Sequence, residues 1–320
     1  MKRFWHTAFI SMVALFLASC AMPEAPTRTA LVYGISIYET AYAEGDPISN
    51  NLRYTDDDAK SMAAMLQDSG WTVKAGIADT QTLADNLDAT RLAIETDIAA
   101  LKGTGGVVLF YYSGHGTYTN YGESQIIPFG AIETYEDRIT KRELYTMFEA
   151  AGLSNVVMIL DSCYSGGFVD AGATLDAIPP VFGSYDPTGP VAAEGDIDYT
   201  WFTNALDDSI NGYFSYEHDS GHIVLSAAGA GELSWESASI AYGAGHGIFT
   251  YFLLQSETDP SADVDGDGLI TSGEAFAYCA GRINETWNAD NFSYYIDGTF
   301  ADYLPHLSGT PREYALWENK

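Results

Sequence analysis

Basic residues are scarce in this chain: 14 lysines and arginines stand against 44 aspartates and glutamates, a formal net charge of −30. Such a surface repels phosphate backbones, which argues against nucleic acid as a partner. It attracts cations and basic peptides instead, and much of the charge serves solubility. The scarcity is also uneven, because no Lys or Arg occurs between Arg142 and Arg282. Cysteine is rarer still, with 3 in 320 residues, too few for a disulfide framework. There is no Cys-x-x-Cys pair and no cluster of histidines, so redox and metal-thiolate chemistry drop out. Past the amino terminus no apolar stretch is long enough to span a membrane.

What is present begins with residues 1–19, which read as an export signal. Lys2 and Arg3 form a positive start, and the apolar core from Ala8 to Leu17 is too short for an ordinary transmembrane helix. Leu17-Ala18-Ser19-Cys20 follows and resembles the lipobox of bacterial lipoproteins. That resemblance implies cleavage before Cys20 and acylation of its thiol and new amino group; a plain secretory signal with a chance cysteine is the alternative. Each buried methylene contributes about 0.8 kcal/mol, so several acyl chains hold firmly. The expected location is a bacterial membrane, on its periplasmic or cell-surface face, with residues 20–29 as a tether.

With 47% apolar residues the remainder can bury a core. Leu31–Ile37, Val107–Tyr112, Val156–Leu160 and Ile223–Leu225 are nearly uniformly apolar, as strands buried on both faces should be. Helical spacing appears between them. Ala59, Met62, Ala63 and Leu66 form one stripe. Leu144, Met147, Phe148 and Ala151 form another, behind a capping box of Thr140 and Glu143. Strands alternating with helices predict an α/β fold with a mostly parallel sheet, whose reactive residues gather past the strands' carboxyl ends. Residues 171–220, crowded with Gly, Pro, Asp and Ser, read as a surface insertion.

Two strand ends carry chemistry. One is Phe110-Tyr111-Tyr112-Ser113-Gly114-His115-Gly116; the other is Ile159-Leu160-Asp161-Ser162-Cys163-Tyr164-Ser165-Gly166-Gly167. In each, an apolar run stops at small residues that expose one reactive side chain. A thiol needs a base or cation nearby to become a thiolate, and imidazole is the usual one. Of the other histidines only His246, beside a helix start, rivals His115. Cys279 lies at helical spacing with Phe276, Ala280 and Ile283 and reads as a buried apolar face, so a disulfide to Cys163 is a weak alternative.

These motifs resemble the caspase/metacaspase cysteine peptidases, especially bacterial metacaspase-like members, which carry Ser-Gly-His-Gly and Asp-Ser-Cys-Tyr-Ser-Gly strand ends. The 48 residues from His115 to Cys163 match the caspase offset. Asn51-Leu52-Arg53-Tyr54-Thr55-Asp56-Asp57-Asp58-Ala59 looks like the family's first-helix segment, although Tyr54-Thr55 replaces the usual Gly-Cys. Ser226-Ala227-Ala228 with Glu236, then Gly245-His246-Gly247-Ile248-Phe249-Thr250, resembles the small-subunit half. The resemblance implies a three-layer α/β/α sandwich over residues 30–312. Its parts are a large-subunit-like part at 30–170, the 171–220 insertion, and a small-subunit-like part at 221–312.

The resemblance also implies roles. Cys163 is the nucleophile and His115 its proton-transfer partner, with the N–H groups of Gly116 and Cys163 facing the oxyanion. Asp58, Ser113 and Asp161 match the positions that bind a basic P1 side chain. Asp58 has an alternative reading as a helix start, with Asp56 or Asp57 as rival caps. Aspartate specificity would need a basic pocket, which this chain has almost no residues to build. The implied activity is endopeptidase cleavage after Arg or Lys. The alternative is a non-catalytic calcium-binding surface lipoprotein that keeps the fold as a scaffold. An enzyme so directed cannot cut itself inside 171–220, so the purified protein is expected to run as one chain; two fragments parted near the insertion would contradict this.

One motif stands apart. Asp263, Asp265, Asp267, the Leu269 carbonyl, Thr271 and Glu274 fall at positions 1, 3, 5, 7, 9 and 12 of an EF-hand loop, residues 263–274, with Gly268 at the turn. Bound calcium is expected there as a structural brace, since no second loop exists to pair with it. Thr271 and Glu274 also form a capping box for the next helix.

Overall fold

The computed structural model describes residues 27–40, 43–44, 49–79, 85–119, 122–168, 222–229, 232–289, 295–296, 299–300, 303–309 and 314–320. The export signal, Cys20 and the 171–220 insertion lie outside the described residues. The amino-terminal half runs β1 (Arg28–Ile35), α1 (Thr55–Asp68), β2 (Thr72–Ala78), α2 (Arg91–Ala100), β3 (Val107–Ser113), β4 (Gly116–Tyr118), β5 (Ser124–Ile126), β6 (Ile139–Thr140), α3 (Lys141–Ala151) and β7 (Val156–Asp161). The second half runs β8 (Ile223–Ser226), β9 (Glu236–Ser237), β10 (His246–Gly247), α4 (Ile248–Gln255), β11 (Leu269–Thr271) and α5 (Ser272–Ile283). It ends with β12 (Tyr295–Ile296), β13 (Thr299–Phe300), β14 (His306–Ser308) and β15 (Ala315–Glu318).

Among the described residues the central sheet has the order β14-β8-β7-β3-β1-β2, parallel except for the antiparallel edge strand β14. Its inner strands are apolar at nearly every position because both faces are covered. Ala30, Val32, Leu109, Tyr111, Val157 and Ile159 point into a core layer with α1, α4 and α5. Leu31, Tyr33, Val108, Phe110, Met158 and Leu160 point the other way, onto α2 and α3. The result is the expected three-layer α/β/α sandwich. Thr140 and Glu143 close a capping box on α3, and Thr271 and Glu274 close one on α5.

The edges differ from the sequence reading. In β2, Thr72 and Lys74 are exposed, so it lacks the uniform apolar signature of the inner strands. β15 pairs with β11 and buries Leu316 and Trp317 in the α1/α4/α5 core. With β1 starting at Arg28, the packed fold takes in residues on both sides of the 30–312 span. Cys163 and Cys279 are both free thiols, Cys279 fully buried.

Candidate active site

Register assembles the site at the carboxyl ends of β3 and β7. Ser113 and Asp161 end these strands and stand opposite each other. Side chains alternate along a strand. Since Tyr111 and Ile159 face the α1/α4/α5 layer, Ser113 and Asp161 two residues on face it as well. The first turn of α1 reaches them because Gly34 of β1 has no side chain: a Cβ there would collide with the Thr55 carbonyl and the Ala59 Cβ. The helix begins at Thr55, and its N-cap residue Tyr54 makes no side-chain cap bond, so none of Asp56, Asp57 and Asp58 is the cap. Asp58 instead turns inward, where Ser113 Oγ donates to its Oδ2 at 2.8 Å.

The start of α4 closes the cluster. Asp58 Oδ1 accepts the Gly247 N–H at 3.0 Å and lies 2.9 Å from His246 Nδ1. Asp161 Oδ2 accepts from the Thr250 N–H at 3.1 Å and the Thr250 hydroxyl at 2.8 Å, while its Oδ1 accepts from Ser234 Oγ. Gly247 separates the two carboxylates. A Cβ on it would collide with Asp161 Oδ2 and lie 2.9 Å from Asp58 Oδ2. Both carboxyl groups are buried, Asp58 completely. Desolvation raises both, Asp58 to about 7, and hydrogen bonds pull against that rise without cancelling it. Among the described residues no Lys or Arg forms an ion pair with either. Their partners are the His246 imidazole, on Asp58, and neutral N–H and O–H donors.

His115 and Cys163 sit in the turns that leave these same strands. Tyr38 holds the first turn: its hydroxyl accepts the His115 N–H at 2.7 Å, and its ring packs on the imidazole at 4.6 Å. Tyr112 Oη adds a contact to the His115 carbonyl at 2.8 Å. His115 Nε2 donates to the Asn50 carbonyl at 2.7 Å, which leaves Nδ1 as the basic nitrogen. Cys163 lies beyond the last residue of β7, in a turn where Tyr164 adopts φ 59. Asp161 and Cys163 are two apart, which on an extended backbone would point them the same way, but the chain bends at Ser162 and that parity does not carry over.

The two turns touch. A Cβ on Gly116 would collide with the Cys163 carbonyl, so only glycine lets the His115 turn pack this closely. Gly116 stands opposite Ile126 in the β4–β5 ladder. The flanking bonds, Ile127 N–H to the His115 carbonyl and Thr119 N–H to the Glu123 carbonyl, make 116/126 one of the alternate pairs that exchange no hydrogen bonds. Its N–H therefore points away from β5.

The chain matches the caspase-domain model of peptidase family C14 across residues 27–267. It belongs to the C14 peptidases. The fold is similar to the crystal structure of protein GSU0716 from Geobacter sulfurreducens, at 17% identity and a TM-score of 0.49, over 92% of this chain and 98% of that one. None of the curated proteins matches it.

In this C14 peptidase burial acts on the thiol and the imidazole in opposite directions. Cys163 is half-buried, its Sγ facing the Ser234 carbonyl at 3.8 Å, and burial raises its pKa from the usual 9.0. Burial lowers His115. Both effects favour the neutral form of each group. Alkylation of Cys163 by iodoacetamide, followed by peptide mass spectrometry, is therefore expected to be slow at neutral pH and still climbing above about pH 9. A plateau below neutrality would show a stable thiolate–imidazolium pair instead. The sequence reading missed Tyr38, Asn50, Ser234, Thr250 and Tyr303, whose hydroxyl lies 2.8 Å from Ser234 Oγ, as neighbours of the site. Only Thr250 lay in a quoted motif; the others come from segments whose polar residues look like ordinary loop composition.

Proposed function

We propose that this chain is a cysteine endopeptidase that cuts after Arg or Lys, with Cys163 as nucleophile and His115 as proton carrier. One observation carries the reading: the two strand ends that present His115 and Cys163 also present Ser113 and Asp161, and Asp58 completes a buried anionic seat beside them. A guanidinium or ammonium in that seat fixes the residue whose carbonyl Cys163 attacks. The thiol proton passes through His115 to the leaving amine as the S–C bond forms and the C–N bond breaks; water then cleaves the thioester. The N–H groups of Gly116 and Cys163 face the developing oxyanion. The test is turnover of fluorogenic peptides ending in Arg, Lys, Asp or Leu. Faster cleavage after Asp or Leu would overturn the P1 assignment.

The 263–274 loop supports a second element of the proposal. The carboxylate oxygens of Asp263, Asp265 and Asp267 lie within 4.8 Å of one another. Asp263 accepts the N–H groups of Gly266, Asp267 and Gly268, and Gly268 turns at φ +84. An all-oxygen donor set suits a hard divalent cation. Ile270, at position 8, pairs with Trp317 of β15, where a second loop would stand in a paired EF-hand. Calcium held by Asp263, Asp265, Asp267, Leu269, Thr271 and Glu274 would brace the β11–β15 corner. A hundredfold excess of calcium over its Kd contributes about 2.7 kcal/mol, so the melting temperature should rise by several degrees over a chelator control. Asp265→Ala with Asp267→Ala, both exposed, should abolish that rise. An unchanged response would remove calcium from the loop.

In the cell, Cys20 would anchor the enzyme to a membrane. Mass spectrometry of the mature amino terminus, acylated or not, decides this.

A further inference from the structure

His246 stands where a bound cation is expected. Its Nδ1 lies 2.9 Å from Asp58 Oδ1, and the ring is 21% exposed while the Asp58 side chain is 0% exposed. The adjoining Gly247 N–H donates to the same carboxylate. β10 holds the ring against the seat, because Gly247 pairs with Glu236 and His246 with Ser237. The titratable groups around the imidazole are acidic or neutral: Asp57 and Asp58 from α1, Asp161 from β7 and Glu236 from β9. Tyr111 of β3 lies behind the seat with its hydroxyl on Thr250, and the Tyr54 ring flanks Gly245. Arg53 is the guanidinium on this side, and its charge acts on Glu236.

We propose that His246 is a proton-linked specificity residue: as imidazolium it neutralises Asp58, and a basic P1 side chain binds by displacing that proton. This rests on the basic-P1 reading above. An imidazolium and a guanidinium that share Asp58 repel each other, even with Asp161 alongside. Loss of the Nε2 proton solves the conflict without moving the ring, since neutral imidazole still donates its Nδ1–H to Asp58. The hydrogen bond to Asp58 already holds the imidazolium above its ordinary range, so a guanidinium on Asp58 acts against that bond. Linkage is reciprocal. By whatever factor a guanidinium weakens proton binding at His246, deprotonation strengthens guanidinium binding.

The experiment uses full-length protein carrying Cys163→Ala, labelled at histidine, with agmatine as a guanidinium probe that has no scissile bond. The His246 ring signals are assigned by their loss in His246→Gln and titrated by NMR. Saturating agmatine is expected to lower the apparent His246 pKa by about one unit, and agmatine affinity should then tighten about tenfold from acid to alkaline pH. In His246→Gln that dependence should shrink to what the raised carboxyls of Asp58 and Asp161 give by themselves, with tighter binding than wild type at acid pH. Agmatine that binds without shifting His246, or a variant that keeps the full pH dependence, overturns the inference and leaves the P1 reading standing. Agmatine that binds neither protein at any pH overturns both.

Discussion

Replacing Cys163 with alanine is expected to lower kcat for an Arg-ended peptide by roughly 10⁴-fold or more, the scale seen when a covalent nucleophile is removed. Among the described residues no other thiol nucleophile sits in this turn. The neighbouring Ser162 is buried, with its hydroxyl on the Gly116 side rather than in the open turn. His115→Ala removes proton transfer and should cost about 10²–10⁴-fold. The double variant should be no worse than Cys163→Ala, because the two groups act on one step. Stability gives the control. Cys163 is half-buried at a turn outside the two core clusters, so alanine should shift unfolding by no more than about 1 kcal/mol. A variant that folds normally and turns over as fast as wild type would end the peptidase reading and favour a non-catalytic scaffold.

How much of this was legible in the sequence follows from how each element is buried. Strands β1, β3, β7 and β8 sit between two helical layers, and a residue that faces protein on either side must be apolar, so their runs stand out. β2, β14 and β15 lie at sheet margins or outside the main sheet, where polar residues such as Lys74 and His306 are tolerated and no pattern survives. Ser113 and Asp161 were legible only through the family resemblance, which matched each to a pocket position; that they stand opposite each other comes from the β3–β7 register. Cys163 was legible in identity but not in direction, since parity ends where the chain leaves β7. His246 was weighed only as a rival base to His115. Its contact with Asp58 joins positions 188 apart in sequence, and no local spacing encodes that. Glu236 is similar: it accepts the N–H groups of Arg53 and Tyr54, tying the small-subunit-like half to the start of α1.

Asp58→Asn is expected to cost about 10³-fold in kcat/KM on Arg-ended peptides while making the protein more stable above neutral pH. The loss follows from removing one of two buried charges that would face the P1 cation, worth about 2–5 kcal/mol for a fully desolvated pair. The gain follows from linkage. Asp58 has a usual pKa of 3.8 and is raised to about 7 in the fold, mainly by desolvation. Between those values the folded state keeps a proton that the unfolded state has released, so stability falls as pH rises through that window and stays reduced above it. A displacement of this size corresponds to a few kcal/mol. Asparagine carries no charge to desolvate. Its carbonyl can accept the Gly247 N–H, and its amide can donate to Ser113 Oγ, whose hydroxyl rotates to suit. Urea unfolding at about pH 5 and pH 8 should therefore show a smaller pH-dependent loss in the variant. A variant less stable at alkaline pH with activity intact would make Asp58 a structural member of the α1–α4 contact. The opposite pattern, activity lost and stability gained, is what a site held at the expense of its scaffold must show.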